Sequence, residues 1–536
     1  MNYLRRLLGL TAPDSAGRGA MEALEPRAML AADLSLTSTN VSNFFDRRSS
    51  ADRIQLNIAV TNVGTETYRN RGNVELFLST DTTFDSNDAR FATLAVPSVQ
   101  VGQRRVLSVN VLEPKDVNPP SGRRALEAGT YNVIARISGL DGNAANDEVV
   151  ATGTVDINYD FGTGEGGVRV PLTIPLPDGT SITLRINGTG SGSVRNDDGR
   201  TIVTLNAGGS RSDLLITTNA RAGQTSTING LEINSVIKRV IADRIVVNGN
   251  VNVTGGVGFF SIGGLTSGTL LWSGTNEGFF LFSSPVVALG TVRDAIVSAD
   301  VPFNSFDVRS WVDTNGGGDL LSVPSIITFS SGGDFQPSVT LTSQNDRGQF
   351  SVEKVSVRGR VSGSWRLASG VRRLEFGSAT PDYTGTIGAT VEFFSVTGNF
   401  EGLIAATQIN RIFVGGNIRN GRILAGAQLG NDVLLGGTGS DADSYRASVI
   451  TEITVRGSVI NSLIAAGIRS TDNQFLNSDD TFATGTSRIG RIQVYREVTN
   501  SFFVAPSFPT TVRVRFNNNL PTANNPAFVT TLPITT

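Results

Sequence analysis

Short stretches in which apolar and polar residues alternate begin at Asp33 and recur to about residue 158. Examples are residues 54–60 (IQLNIAV), 74–78 (VELFL) and 106–111 (VLSVNV). Alternation with a period of two, bounded by Gly, Asn and Asp, is typical of half-buried antiparallel strands. About seven such strands in about 125 residues predict an immunoglobulin-like β-sandwich over residues 33–158.

A longer-range pattern occupies residues 170–510. Four segments share the form charged, apolar-x-apolar-x-Gly-x-apolar: RIVVNGNV, KVSVRGRV, RIFVGGNI and EITVRGSV, with Gly249, Gly359, Gly416 and Gly457 at the marked position. Weaker copies place Gly377 and Gly398 at the same position, and in residues 491–498 (RIQVYREV) Arg496 replaces the Gly. From Gly359 the steps to the next copies are 18, 21, 18, 41 and 39 residues, which we interpret as one, one, one, two and two units of about 20. Strand-like cores at this period predict a right-handed parallel β-helix of about fifteen rungs.

The predicted fold class is therefore all-β. A Gly-rich linker is expected at 159–169, residues 170–235 are a candidate cap for the solenoid, and residues 511–536 read as an irregular C-terminal tail. A leucine-rich repeat fits less well, because no unit contains an amphipathic helix of ten residues. The 28 Phe, against 7 Tyr and 3 Trp, favour aromatic stacking inside the rungs.

Composition removes several function classes. The chain has no His and no Cys, so Cys/His zinc sites, Ser-His-Asp and Cys-His nucleophiles and disulfides are excluded. A net charge of −2 supplies no basic field for nucleic acid, so nucleic acid is not an expected partner. The apolar stretch 278–290 is shorter than the ~20 residues of a spanning helix, so no membrane span is expected.

Residues 24–32 (LEPRAMLAA) resemble the LEPR-XLL motif at the N-terminus of large exported proteins of planctomycete-type bacteria. The family usually has Leu-Leu after the variable position, where this chain has Met29 and Leu30. The resemblance implies that residues 1–32 are a targeting or leader region and that the protein is exported to the cell surface or the extracellular space. Residues 170–510 also resemble the large solenoid proteins that accompany such leaders.

The predicted sandwich resembles the CARDB family, a bacterial cell-adhesion-related domain with an immunoglobulin-like fold. Its features occur in order as residues 60–64 (VTNVG), 76–81 (LFLSTD), 84–88 (FDSND) and 127–131 (EAGTY). The segments 114–124 and 141–148 depart from the usual pattern. The resemblance spans residues 33–158 and implies a role in adhesion.

Acidic residues in three turns are candidate ligands for calcium, which prefers oxygen ligands. The segment 429–441 (LGNDVLLGGTGSD) resembles the calcium-binding nonapeptide G-G-x-G-x-D-x-U-x, although an Asp stands at the large apolar position. The alternatives are aspartates that cap turns and a Gly-rich loop that leaves the solenoid. No cofactor is required by the sequence, and the calcium candidates are Asp81, Asp85, Asp88, Asp432, Asp441, Asp443, Asp479 and Asp480.

These features predict a non-enzymatic extracellular surface or matrix protein that acts in adhesion or cell-envelope scaffolding. Its expected partners are envelope or extracellular polysaccharide or protein, with the oligomeric state left open. One alternative is a carbohydrate-active β-helix enzyme, a polysaccharide lyase or hydrolase, with Asp479 and Asp480 as paired acids or Arg488 or Arg491 as base. A further alternative is a self-assembling envelope subunit whose last rung exposes strand edges.

Overall fold

The structure is a computed structural model that describes residues 32–46, 51–69, 72–114, 126, 129–137, 146–157, 159–163, 169–197, 200–274, 284–472, 474–508, 513–514, 527–530 and 532. The described residues form strands and turns, with one 3₁₀ turn at Gly439–Asp441 and no α-helix. The LEPR-XLL-like segment lies outside them. The prediction of an all-β chain is confirmed for the described residues.

Contacts divide the chain into two compact units, of which the first comprises Met1–Phe44, Arg53–Val111 and Tyr131–Val155. Its two antiparallel sheets have the orders β1-β3-β2, with β6 also on β3, and β5-β4-β7-β8. Alternate residues are buried, such as Val74, Leu76 and Leu78. The immunoglobulin-like arrangement stays a prediction. The strands are β1 Leu34–Ser38, β2 Ser42–Asp46, β3 Ala51–Asn62, β4 Asn73–Ser79, β5 Ala89–Ala95, β6 Arg104–Leu112, β7 Gly129–Ile137 and β8 Glu148–Ile157.

The second unit begins with antiparallel strands. Residues 160–163 pair with β10 and with β13, and Ile182 of β12 lies opposite Thr218 of β15. The linker predicted at 159–169 was therefore wrong in part, because Phe161 is buried and its neighbours form a strand. These strands are β9 Asp160–Thr163, β10 Arg169–Val170, β11 Leu172–Pro175, β12 Ser181–Asn187, β13 Ser191–Asp197, β14 Arg200–Ala207 and β15 Asp213–Thr218.

Beyond residue 225 almost all pairing is parallel, as the solenoid prediction requires. The strands are β16 Ser226–Ile233, β17 Ile237–Val253, β18 Val257–Thr266, β19 Thr269–Trp272, β20 Val286–Arg293, β21 Ile296–Ala299, β22 Phe303–Val312, β23 Leu320–Val323, β24 Ile326–Ser331, β25 Ser338–Leu341, β26 Phe350–Val361, β27 Ser364–Leu367, β28 Gly370–Ala379, β29 Thr384–Val396, β30 Leu403–Val414, β31 Ile418–Arg419, β32 Arg422–Ala425, β33 Ala427–Gln428, β34 Ser444–Tyr445, β35 Val449–Val455, β36 Val459–Ile460, β37 Leu463–Ala466, β38 Ile468–Arg469, β39 Thr481–Phe482, β40 Arg488–Val494, β41 Val498–Thr499, β42 Phe502–Val504, β43 Arg513–Val514 and β44 Phe528–Val529.

The pairings form three stacked ladders. The first ladder runs through Phe259, Val286, Ser305, Thr328, Lys354, Arg373, Phe393, Arg411, Glu452 and Arg491. The second runs through Leu265, Val292, Trp311, Phe335, Val361, Ala379, Phe400, Ile418, Val459 and Val498. The third runs through Leu270, Val297, Leu321, Val339, Trp365, Gly385, Ile404, Ile423, Ile464 and Phe503. Each rung therefore contributes one short segment to each ladder.

The turn between the second and third ladders requires left-handed backbone in several rungs. Asn420, Asn461 and Asn500 stack at this turn with φ of 50°, 49° and 46°. Asn tolerates this conformation better than other residues with a side chain. The recurring asparagine therefore marks this turn in three successive rungs, whereas Ser267 and Asp294 adopt positive φ at the corresponding turn of earlier rungs.

Aromatic side chains fill the middle of the solenoid. Consecutive ring contacts connect Phe260, through Trp272, Phe303, Phe306 and successive rings, to Phe400, with neighbouring centroids 4.8–6.4 Å apart. Most pairs meet edge to face, the geometry that ring quadrupoles favour. The interior stacking predicted from the Phe-rich composition is present.

The two longest steps of the repeat correct the sequence interpretation. Arg411 pairs directly with Glu452, and Glu452 pairs directly with Arg491. The steps of 41 and 39 residues are therefore one rung each, with an insertion, and not two rungs. The rungs are fewer than the period alone implies, because these insertions and the antiparallel strands at the start add length without adding rungs.

The insertions lie outside the ladders, and we name them the first excursion (residues 427–446) and the second excursion (residues 468–487). Each contains one antiparallel strand pair, β33–β34 and β38–β39. They form a hydrophobic cluster with outward side chains of the third ladder, including Ala405, Leu424 and Ala465. The excursions therefore cover a sheet surface that is apolar only in the last rungs.

The C-terminal tail differs from the irregular segment that was predicted. Arg513 pairs with Gln493, and Phe528 pairs with Phe503. The Phe503 and Phe528 rings stack at 5.5 Å. Residues 513–514 and 528–529 therefore extend the first and third ladders.

Replacing Phe335 by Ala should strongly destabilise the solenoid. The ring is fully buried and contacts Trp311, Phe329 and Trp365, and truncation of such a side chain costs about 3–5 kcal/mol. Denaturant unfolding followed by tryptophan fluorescence measures this, because all 3 Trp lie in the ladders. The control Tyr495→Ala, at a side chain 56% exposed, should change stability by about 0.5 kcal/mol or less. Equal effects of the two substitutions would contradict the packing described.

Candidate functional site: acidic clusters and an external groove

The first predicted calcium group caps turns of the first unit. Asp81 accepts the amide of Thr83 (2.7 Å), Asp85 accepts that of Asn87 (2.6 Å), and Asp88 accepts that of Asp85 (2.9 Å). The bonds of Asp81 and Asp85, each to the amide two residues on, are Asx-type hydrogen bonds, the alternative considered from the sequence. Calcium binding at these residues stays a prediction.

The second predicted group lies on the first excursion. Asp443 accepts the amides of Gly430 (3.1 Å) and Gly436 (2.8 Å) and the hydroxyl of Tyr445 (3.0 Å). Burial raises the pKa of Asp443 above its ordinary value, although these hydrogen bonds lower it. Asp432 accepts the amide of Leu434 (3.0 Å). Asp432 and Asp443 thus stabilise turns of the first excursion, whereas the Asp441 carboxylate accepts, among the described residues, only the neighbouring Ser440 hydroxyl, at 3.4 Å.

The third predicted group lies on the second excursion. Asp480 is fully buried and accepts the amides of Leu476 and of Asn477. Burial raises its pKa. Asp479 is hydrogen-bonded by the hydroxyl and the amide of Thr471, which lower the pKa of Asp479. The two carboxylates therefore hold different parts of the second excursion: Asp479 holds the segment at Thr471, and Asp480 holds the turn at residues 476–477.

A different group of carboxylates converges on one point. Ligand-capable oxygens of Asp294, Asp313 and Asp319 lie within 4.8 Å of one another, and no other group of three acidic side chains does so in the part of the chain that the structure describes. We name this group the Asp294 triad. Asp294 lies at a turn with φ of 50° between β20 and β21. Asp313 follows β22, and Asp319 precedes β23, so neighbouring rungs bring the three together.

Hydrogen bonds orient two members of the triad. Asp294 accepts the amides of Thr314 (2.6 Å) and Asn315 (3.2 Å) and the hydroxyl of Thr314 (2.7 Å). These bonds, with that from the hydroxyl largest, lower the pKa of Asp294. Asp313 accepts the amides of Asn315 (3.1 Å) and Gly316 (2.7 Å).

Asp319 is the buried member of the triad. Its side chain is 5% exposed and accepts the indole N–H of Trp311 at 2.7 Å. The pKa of Asp319 is raised to about 6, chiefly by burial; the charges of Asp313 and Asp294 contribute to this rise, while the Trp311 hydrogen bond opposes it. A proton or a cation would relieve this concentration of negative charge.

Sequence reasoning missed this triad, although signals for it exist. Asp313 and Asp319 bound a glycine-rich loop, DTNGGGD, whose oxygens suit a hard cation. Asp294 precedes Asp313 by 19 residues, which is one rung. To connect the loop with Asp294, one must know which residues pair between neighbouring rungs. The sequence repeat is weak in this part of the chain and does not give that pairing.

An external groove of about 750 Å³ brings acidic and basic side chains together near β26 and β28. Its carboxylates are paired: Asp334 with Arg360 (2.9 Å), and Glu375 with Arg373 (2.8 Å). Burial alone would raise the pKa of Asp334, but hydrogen bonds from the backbone and guanidinium of Arg360 lower it overall. A lowered pKa is unsuited to a general acid.

No family model matches the chain, and no curated protein matches it. Part of the chain is similar to a solved CARDB domain, that of the PF1109 protein from Pyrococcus furiosus, whose crystal structure is described as a complex with di-metal ions. The identity is 16%, over 24% of this chain and 88% of that chain, with a TM-score of 0.15. Among the described residues, no helix is long and apolar enough to cross a membrane.

The pH dependence of solenoid stability should contain a contribution from Asp319. Its folded pKa of about 6 exceeds the ordinary 3.8, so the ionised form destabilises the fold above pH 6, and this cost is relieved as pH falls towards 4. Between pH 7.5 and 5, in chelator, the wild type should gain about 1 kcal/mol relative to Asp319→Asn. Denaturant unfolding at both pH values measures the difference, and identical pH profiles would overturn the assignment.

Proposed function

We propose that the protein is a non-enzymatic surface or matrix protein that acts in adhesion or cell-envelope scaffolding after export. The observation that carries the proposal is the filled interior of the solenoid, with its large aromatic side chains fully buried. Because the interior is packed, ligands must be met by the outer surfaces of the ladders and by the excursions. Stacked, hydrogen-bonded rungs of this kind give the extended binding surfaces of solenoid proteins.

The geometry gives less support to a carbohydrate-active enzyme. A hydrolase needs one carboxyl group that protonates the leaving oxygen and a second that acts on the sugar or water. Asp480, one of the predicted acids, is fully buried and bonded to backbone amides of its own excursion, so a substrate does not reach it. For a lyase, Arg491, one of the two candidate bases, forms an ion pair with Glu452 at 3.3 Å. In the external groove, Asp334 and Glu375 are engaged by arginines.

Calcium stabilisation is the second part of the proposal. The Asp294 triad is the acidic group whose geometry favours it, because three carboxylates approach one point and Asp319 is buried there. Carboxylate oxygens are the ligands that calcium prefers. A cation at this position would connect neighbouring rungs.

Co-sedimentation tests the adhesive role. We expect purified protein to be retained by envelope and extracellular polysaccharide of the producing cells without release of soluble sugar. Retention accompanied by depolymerised product would support the enzyme alternative instead. Lack of retention, together with concentration-dependent self-association in analytical ultracentrifugation, would favour a self-assembling subunit.

Calcium should raise the stability of the solenoid through the triad. At millimolar calcium we expect a gain of about 1–2 kcal/mol over chelator, since a ligand that binds the folded state stabilises it by mass action. Asp313→Asn should remove most of this gain. Asp441→Asn, which changes the nonapeptide-like loop of the first excursion, is the matched control and should retain it. The reverse result would place the cation on the excursion, and no gain in the wild type would remove calcium from the proposal.

A further inference from the structure

A cleft of about 430 Å³ lies between the outer surface of the third ladder and the first excursion. Its floor contains Thr340, Arg366 and Thr386, which are successive partners across β25, β27 and β29. Its wall contains polar residues of the excursion, including Gln428 and Asn431. We name this site the Arg366 cleft.

The cleft exists because the outward positions of the third ladder change character along the solenoid. Thr340 and Arg366 are polar, whereas the corresponding positions two and three rungs beyond Arg366 are Ala405 and Leu424, which pack beneath the excursions. Thr386 lies at the border, where its hydroxyl accepts the amide of Leu429 at 3.0 Å. The excursion is thus attached to the floor at one edge of the cleft, and the polar floor beside it stays open.

The lining has a consistent chemistry. Besides backbone and apolar atoms it offers hydroxyls, two side-chain amides and the Arg366 guanidinium, and no Asp or Glu lines it. Arg239, Arg360 and Arg373 each form an ion pair with an acidic side chain, but Arg366 has no ion-pair partner among the residues that the structure describes. Its guanidinium is therefore available to a ligand.

We propose that the Arg366 cleft binds a carboxylated sugar residue of an acidic polysaccharide. A guanidinium matches a carboxylate through two parallel hydrogen bonds. Thr340, Gln428 and Asn431 provide the donors and acceptors that sugar hydroxyls require, and the volume is within the range of about 300–1,000 Å³ that small-ligand sites occupy. With a net charge of −2 the chain has no general attraction for polyanions, so binding depends on this local pairing. The inference rests on the proposed adhesive function and deepens it by naming a ligand class and a site.

The test is calorimetric titration of the full chain with trisaccharides of galacturonate, guluronate and glucuronate. Each acid is compared with its methyl ester, which removes the charge and keeps the ring hydroxyls. We expect at least one acid to bind at least tenfold more tightly than its ester. Binding of none of the acids, or equal binding of acid and ester, would overturn the proposal.

Substitutions locate the binding. Arg366→Gln should weaken binding of the acid at least tenfold, and Arg366→Lys should weaken it less, because it keeps the charge but loses the planar fork. The matched control is Arg309→Gln, at an exposed arginine on β22 outside the cleft, which should leave the affinity unchanged within twofold. Thermal unfolding verifies that all variants are folded. An equal loss of affinity in Arg309→Gln would refute the carboxylate site. So would a sulfated trisaccharide that binds the wild type and Arg366→Lys equally tightly, because both results would show that any positive charge suffices.

The same variants separate this inference from the proposed function. If the wild type and Arg366→Gln are retained equally by envelope polysaccharide, the cleft proposal fails while the adhesive role stands. If the wild type binds an acidic trisaccharide but is not retained by the envelope, the cleft stands and the adhesive role fails.

Discussion

In-register pairing of each rung with the next is the constraint on which the rest of the second unit depends. Each residue in a ladder has a fixed partner one rung away, so its side chain always meets the side chain at the same position of the neighbouring rung. Inward positions must then be apolar in every rung, and the turn between the second and third ladders must accept left-handed backbone wherever Asn420, Asn461 and Asn500 stack. The same register brings Asp294 beside the loop that connects β22 and β23 in the next rung.

The register also explains how insertions are tolerated. A rung can lengthen at a turn without disturbing the ladders, because the partner residues on both sides still meet, as Arg411 and Glu452 do. The two excursions occupy the same turn of successive rungs, which lets them pack on each other and on one sheet surface. Apolar outward residues such as Leu424 and Ala465 therefore occur in the rungs whose insertions cover them.

Sequence reasoning reached the strand content, the parallel solenoid and the aromatic interior, because these depend on local alternation and on a repeat that Gly359, Gly416 and Gly457 mark. It misjudged the long steps because an insertion of about one rung length has the same spacing as a missing copy. It missed the Asp294 triad because that site needs two rungs in register. The Arg366 cleft was missed for a related reason: Thr340, Arg366 and Gln428 are distant in sequence and meet only where an excursion folds back on the ladder.

The distribution of charge follows from the same architecture. A packed interior excludes charged side chains unless they are hydrogen-bonded, so most carboxylates lie at turns, where backbone amides hold them, or pair with arginines on the outer surfaces. The Asp294 triad and the Arg366 cleft depart from this balance with opposite sign. At the Asp294 triad, three carboxylates share one point, and burial, together with the charges of Asp313 and Asp294, raises the pKa of Asp319. In the Arg366 cleft, a cation lies among uncharged polar groups. Both imbalances lie where an insertion or a loop meets a ladder, but they differ in how they are linked to the interior. Arg366 is exposed and can change without altering the inward positions, whereas Asp319 accepts the indole N–H of the buried Trp311, so a change there also affects the packed interior.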